Sequence, residues 1–384
     1  MFPPVWNSIC RDREVYKKRT ALRVGTMNSL RVWVGNFLLA LLIGALVVAC
    51  GEEEKRLTNQ EIFLYQGPDR DQKIIEQAKK EGAVSIYTSM TLKDWEGIAQ
   101  VFEKKYGIKT NVWRAGSGKI VQRATIEAKA GRYDVDVIET LGPNIEKAYR
   151  EKLLAEFYSP ELRNIPPQAL PRHRHYVINR FNLFVMGYNT TQVKPQEVPQ
   201  SYEDLLKPKW RGKLGMERTD VDWFASVVKA MGEEKGLNFF KKLAAQQPKM
   251  FEGHTMVAKV TASGEVTIVL NAFSQGIEQL KKKGATTEWK ALPPVIAGAN
   301  GLGVAKNAPH PYAALLLVDF LLSKEGQELL RANHRVPTNQ LVESPLTGLS
   351  YDIVDPALVL DEWDKWNDLW SNLFLGGKKV TKEE

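Results

Sequence analysis

The chain has 384 residues, 43% of them hydrophobic and 26% charged, with a formal net charge of +8. This composition excludes a disordered or collagen-like chain and fits one large or two medium globular domains. The excess charge is local: residues 1–49 hold seven Lys and Arg against two acids, and of the 53 basic and 45 acidic residues the rest keeps 46 and 43, so no nucleic-acid face is expected. Cys10 and Cys50 are the two cysteines and both precede the globular part. The folded body therefore has no disulfide, thiolate metal site or cysteine nucleophile.

Val32 to Ala49 is an apolar run broken by Asn36 and preceded by Arg31, and it ends Val47-Val48-Ala49-Cys50. Counted from Met27, a short charged segment, an apolar segment and small residues make a secretory layout. It resembles a bacterial lipoprotein signal, which implies cleavage before Cys50 and a lipid on its sulfur. Residues 1–49 are then an upstream extension and signal peptide, and 50–80 the lipidated cysteine and a tether. Location in the periplasm or at the cell surface, anchored to a bacterial membrane, follows. An uncleaved span is the other reading, since about 18 apolar residues is near the minimum for one.

The body opens with strand Val84–Tyr87, helix Leu92–Tyr106 closed by Gly107, strand Thr110–Trp113, helix Lys119–Ala130 and strand Val135–Ile138. Buried strands alternating with helices spell a parallel βαβαβ unit, with ligands expected beyond the carboxyl ends of the strands. A short helix near Asn144–Glu151, a proline-rich crossing and a strand at Phe184–Tyr188 follow. Leu214–Met216, Trp223–Met231, Leu237–Ala245, Val266–Leu270, Phe273–Lys283 and Thr287–Leu292 then assemble a second α/β unit. Asn300–Ala305 and helix Tyr312–Leu322 return to the first. Trp363, Trp366 and Trp370 form a stripe at helical spacing, read as core packing. The predicted fold is α/β with two lobes: 81–187 the first lobe, 188–292 the second, and 293–384 the return with C-terminal helices. Crossings near Phe184–Tyr188 and Leu292–Ala299 form a hinge around a cleft.

Candidate ligand residues sit at the strand ends. Gly116-Ser117-Gly118 opens a helix and offers free N–H groups, a hydroxyl and the positive end of a helix dipole, which suits a carboxylate, phosphonate or phosphate. A plain turn with Ser117 as cap is the alternative. The loop is not a Walker A motif, because Trp113 and Ile120 stand where Gly and Ser/Thr belong. Ser89 and Thr140 occupy the neighbouring turns. In the second lobe Thr219 lies in a polar loop, Asn271 is a candidate hydrogen-bond donor, and Trp223 and Phe273 either stack on ligand or pack in the core. His254 either faces the cleft or caps a helix, and His173 and His175 form a metal-capable pair in a proline-rich segment. No Gly-x-Ser-x-Gly or His-Glu-x-x-His motif is present, so a hydrolase is not expected.

Several stretches together resemble a known family: Glu81–Thr88, Phe102–Ile108, Gly116-Ser117-Gly118, Tyr188-Asn189-Thr190, Ser201–Gly212, Ala308–Ala314 and Phe320–Gln327. In this order they are similar to type 2 periplasmic solute-binding proteins of ABC importers, in the ferric-iron substrate-binding branch, over roughly Glu81 to Pro337. The resemblance implies a binding subunit that delivers solute to a permease and ATPase, without catalysis; a monomer without a cofactor is expected. Ferric binders of that kind hold iron with two adjacent tyrosines after a second-lobe strand. Here that position reads Asn271-Ala272-Phe273-Ser274, which implies no tyrosinate metal site. The expected ligand is a small organic anion or a ferric chelate held through its organic part. Free Fe(III) transport and a ligand-sensing receptor ectodomain are the alternatives.

Overall fold

The computed structural model describes residues 57–381. The chain divides after Arg56, and the expectations for the signal segment and Cys50 lie outside the described residues. No helix among the described residues is long and apolar enough to cross a membrane.

Order begins earlier than the expected end of the tether. Thr58 forms a capping box for α1 (Asn59–Phe63), and α2 (Arg70–Glu81) follows, ended by Gly82 at φ +73°. Ile62, Phe63, Ile74 and Ala78 are buried, a sparse apolar stripe that the surrounding charge obscures. Residues 58–80 are therefore part of the body.

β1 (Ala83–Thr88), α3 (Leu92–Tyr106), β2 (Lys109–Arg114), α4 (Ser117–Lys129), β3 (Val137–Leu141) and α5 (Gly142–Arg150) follow in chain order. Thr91 caps α3 by accepting from the Asp94 N–H, and Gly107 closes it at φ +71°, where a left-handed backbone favours glycine. β1 pairs in parallel with β2 on one side and with β3 on the other. β4 (Val177–Asn189) is buried along nearly its whole length and is more than twice as long as its apolar part suggested.

The second lobe contains β5 (Leu214–Glu217), α6 (Val221–Met231), α7 (Glu233–Ala244), β6 (Lys249–Phe251), α8 (His254–Ser263), β7 (Ile268–Phe273), α9 (Ser274–Lys281) and β8 (Thr287–Lys290). β9 (Val295–Val304), α10 (Pro311–Leu322), α11 (Lys324–Ala332) and β10 (Val336–Pro337) return to the first lobe. The chain finishes with β11 (Tyr351–Ile353), α12 (Pro356–Asp361) and α13 (Trp363–Phe374).

The principal strand order is β2-β1-β3-β9-β4-β7-β5-β6. One strand serves both lobes: Val177–Leu183 of β4 pairs with β9, and Phe184–Tyr188 of the same strand pairs with β7. The other crossing is the short link between β8 and β9. The hydrophobic interior forms two clusters that do not follow the lobe boundary, since the larger also takes in Val257, Val269 and Ala272 of the second lobe. One cluster lies under β1, β3, β9 and α10, and another gathers Phe184, Trp223, Phe224, Phe240, Trp366 and Trp370. The C-terminal helices do not simply return to the first lobe as expected. α12 packs on α5 there, whereas α13 packs on α6 and α7 of the second lobe, because Trp366 and Trp370 complete an aromatic cluster around Phe224.

The α10–α11 turn is held at one backbone approach. A Cβ built on Gly326 would stand 2.1 Å from the Phe320 carbonyl oxygen, and this carbonyl cannot rotate away as a side chain would. Gly326→Ala should therefore cost at least the ~1–3 kcal/mol of an overpacked core site. Thermal unfolding reads this directly, and an unchanged Tm would mean that the turn relaxes freely.

Candidate functional site

A cleft of about 310 Å³ lies between the lobes, with walls from both. Its first-lobe side begins at the turns after β1 and β2. α4 starts at Gly116 with extended backbone and no side-chain cap, so the first-turn N–H groups lack the partner that a capped helix provides. Gly116, Ser117 and Ser89 line the cleft.

The floor comes from β4 and β9. Glu139 is fully buried and accepts from Arg180 Nε at 3.1 Å, Asn179 Nδ2 at 3.1 Å, Asn300 Nδ2 at 3.5 Å and the Thr88 hydroxyl. Arg180 also donates to Asn182 Oδ1 at 3.0 Å. Burial pulls the Arg180 guanidinium down to about 10, against the pull of Glu139 in the other direction. Arg335, buried nearby, donates to Asp94. Arg180, Arg335, Asn182 and Asn300 all line the cleft, and each arginine fork has a geometry matched to carboxylate or phosphate oxygens.

The second-lobe wall is acidic. Glu217 ends β5; its carboxylate accepts from the Gly253 N–H at 2.9 Å and from the Thr219 N–H and hydroxyl. Asp220 accepts from Asn271 Nδ2 at 2.7 Å and lies 3.1 Å from His254 Nε2. Burial, together with the charges of Glu217 and Asp222, raises the Asp220 carboxyl well above its ordinary range. Asp222 is pushed up to about 6, mainly by burial. The His254 ring stacks on Phe273 with centroids 3.4 Å apart, and burial lowers its affinity for a proton. Glu217, Asp220 and His254 each offer an atom within 4.8 Å of the others, a set of hard and borderline donors that could hold a metal ion. Asn300 Oδ1, Gln275 Oε1 and His254 Nδ1 are buried without a hydrogen-bond partner among the described residues. A buried polar atom left so is costly unless something else meets it, and all three residues line the cleft.

The sequence candidates divide into three groups. Ser89, Gly116, Ser117, Thr219 and Phe273 line the cleft. Gly118, Thr140 and Asn271 lie just behind it. Gly118 is one residue into α4. Thr140 is inside β3, which runs to Leu141, and its hydroxyl is 3.5 Å from the Ser117 carbonyl. Asn271 is inside β7 and fixes the acidic wall by accepting from the Glu217 N–H at 2.8 Å while donating to Asp220. Trp223 is a correction. It is fully buried in the second-lobe core, edge-on to Phe240 and Trp370, because α6 begins two residues earlier and turns its indole inward. His173 stacks on Tyr149 at 3.8 Å, with His175 beside it, away from the cleft. Sequence reasoning did not select Arg180, Asn182, Asn300, Arg335, Glu217 or Asp222. A run of buried strand interrupted by Asn and Arg is the signal that could have found the first two.

Residues 136–368 match the family described as bacterial extracellular solute-binding protein. The Fe(3+)-binding periplasmic protein of Serratia marcescens is 24% identical over 271 residues, which cover 67% of this chain and 78% of that protein. A putative 2-aminoethylphosphonate-binding periplasmic protein of Salmonella typhimurium is 26% identical over 263 residues, 64% of this chain and 76% of that one. Among solved structures, the periplasmic binding protein AfuA of Actinobacillus pleuropneumoniae, with exogenous fructose-6-phosphate bound, superposes with a TM-score of 0.66. It is 26% identical and the match covers 77% of this chain and 99% of AfuA.

Proposed function

The chain belongs to the bacterial extracellular solute-binding proteins, and from that premise we propose that it captures a small anion between its lobes for an ABC permease and ATPase. The observation that carries the ligand class is the uncapped start of α4 facing a floor that contains Arg180 and Arg335. N–H groups at a helix start and two guanidinium forks suit a phosphate, phosphonate or carboxylate group. The acidic wall would receive the rest of the ligand, through hydroxyl or ammonium donors. Relatives named for 2-aminoethylphosphonate binding and for bound fructose-6-phosphate support an organic anion. Capture without turnover is the corresponding chemical role. The lipid on Cys50 would hold the protein at a bacterial membrane on the periplasmic or outer side.

A ferric reading has its own support in the Serratia relative and in the Glu217, Asp220 and His254 donors. Against direct Fe(III) coordination in the tyrosinate manner stand Asn271 and Ala272, the first occupied with Glu217 and Asp220 and the second without a donor. A ferric chelate seated through its organic anion fits both walls.

Native mass spectrometry of the purified full-length chain with fructose 6-phosphate, 2-aminoethylphosphonate and ferric citrate tests this. A single adduct with an organic anion is expected. Ser117→Leu, which covers the helix start, should weaken it about tenfold or more, the loss of one or two charge-assisted hydrogen bonds. An iron adduct that survives removal of citrate would overturn the anion reading in favour of the metal.

A further inference from the structure

The C-terminal segment holds to both lobes and reaches the cleft. β11 adds to β9 in parallel, and Asp355 caps α12 by accepting from the Ala357 and Leu358 N–H groups. α12 then lies against α5. A Cβ on Gly142 would stand 2.9 Å from Pro356 Cγ, so the approach needs the glycine there. Arg150 of α5 pairs with Asp361. One residue on, the attachment changes lobe: Glu362 meets Lys229 of α6 at 2.8 Å and Lys365 meets Glu233 of α7 at 2.8 Å. Trp370 Nε1 donates to the Arg218 carbonyl at 2.7 Å. The exposed ion pairs contribute little singly, but the indoles of Trp366 and Trp370 are fully buried in the second-lobe cluster.

Beyond α13 the chain doubles back. Gly376 and Gly377 take positive φ, and the buried Asn367 amide holds Val380 at both its polar atoms, donating to its carbonyl at 2.7 Å and accepting from its N–H at 3.0 Å. That clamp seats Val380 and Thr381 on the cleft wall beside Leu360 and Trp363. The half-buried Trp363 packs against the edge of the second-lobe cluster and lines the cleft.

We propose that residues 355–381 form a strap that is the third wall of the ligand cleft and a third connection between the lobes, with Trp363 and the clamped tail as specificity-determining contacts. The ligand-contact part rests on the anion-capture reading; the two-lobe attachment stands apart from it. Opening of the cleft then requires α12 to part from α5 or α13 to shift on α6.

Hydrogen exchange on the full-length chain tests the attachment without ligand. The amides of α12 and α13 should exchange together and as slowly as those of α5 and α6. α12 exchanging a hundredfold faster than α13 would overturn the strap. Asn367→Ala releases the tail without touching the cleft, and should expose the Val380 amide at least tenfold. Fructose 6-phosphate binding by calorimetry should weaken about tenfold in Trp363→Ala and in Asn367→Ala, with Tm within a few degrees of the parent. Unchanged affinity in both variants would overturn the wall. Should the parent bind neither this probe nor 2-aminoethylphosphonate, the anion reading fails and the exchange result decides the strap alone.

Discussion

Replacing Arg180 by methionine should cost about 3–5 kcal/mol of folding free energy, the range found when one partner of a buried ion pair is removed. Glu139 is fully buried and Arg180 nearly so, and among the described residues the arginine is the one cation bonded to that carboxylate. Methionine fills similar volume and leaves the charge of Glu139 to Asn179, Asn300 and Thr88 alone. Urea unfolding of the parent, Arg180→Met, Glu139→Gln and the double variant measures this. The double variant should recover part of the loss, because it removes the stranded charge rather than adding a second defect. A cost under 1 kcal/mol for Arg180→Met would mean that Asn179, Asn300 and Thr88 suffice to hold the Glu139 carboxylate. Ligand affinity should fall as well in Arg180→Met, since the guanidinium is on the cleft floor; stability and capture depend here on the same side chain.

Arg180 also explains why the site was only partly legible in the sequence. Alternation of apolar strands and amphipathic helices is a local pattern, and β1, α3, β2 and α4 follow it closely. Glycines at helix ends, such as Gly107, punctuate it. β4 breaks the rule. Asn179, Arg180 and Asn182 precede the apolar run Phe184–Tyr188 that marks the strand in the sequence, yet they are buried strand residues whose partners lie far along the chain, at Glu139 and Asn300. A polar side chain becomes buriable only when folding brings it a partner, and no window of sequence contains both. The same holds for Arg335 with Asp94, some 240 positions apart.

The turns were easier. Ser89, Gly116 and Ser117 follow strands whose parallel pairing sets where they end, so their place at the cleft follows from topology. Errors arose where a strand continued past its apolar run. β3 runs on through Thr140 and β7 through Asn271 and Phe273, which placed Thr140 and Asn271 behind the surface. Trp223 failed for another reason: aromatic residues satisfy both a core and a ligand wall, and the tertiary positions of Tyr202, Phe240 and Trp370, the last contributed from the far end of the chain, decide between them.

The acidic wall should make the unliganded protein less stable as pH rises, opposite to the usual behaviour of carboxylates in ion pairs. Burial raises the Asp222 carboxyl from an ordinary value near 3.8 to about 6. The folded state therefore holds a proton that the unfolded chain releases. Its favourable contribution is complete below about pH 4 and is lost as pH climbs through 6. Asp220 shifts in the same direction, well above its ordinary range, through burial and the neighbouring Glu217 and Asp222 charges. Asp222→Asn keeps the oxygen that accepts from the Trp223 N–H and removes the charge. Allowing for its partial exposure, it should stabilise the unliganded protein by about 1–2 kcal/mol at pH 7.5 and by almost nothing at pH 4. Differential scanning calorimetry across that interval would register a Tm gain that grows with pH. A gain of equal size at both ends would mean that the charge of Asp222 is not its source. The cost should appear in function: an acid kept ionised in a buried wall at neutral pH is a receptor for a donor or a cation, and Asp222→Asn should weaken 2-aminoethylphosphonate, with its ammonium group, more than it weakens inorganic phosphate. A stabler protein that binds its ligand less well is the expected signature of a wall whose strain is relieved by what it captures.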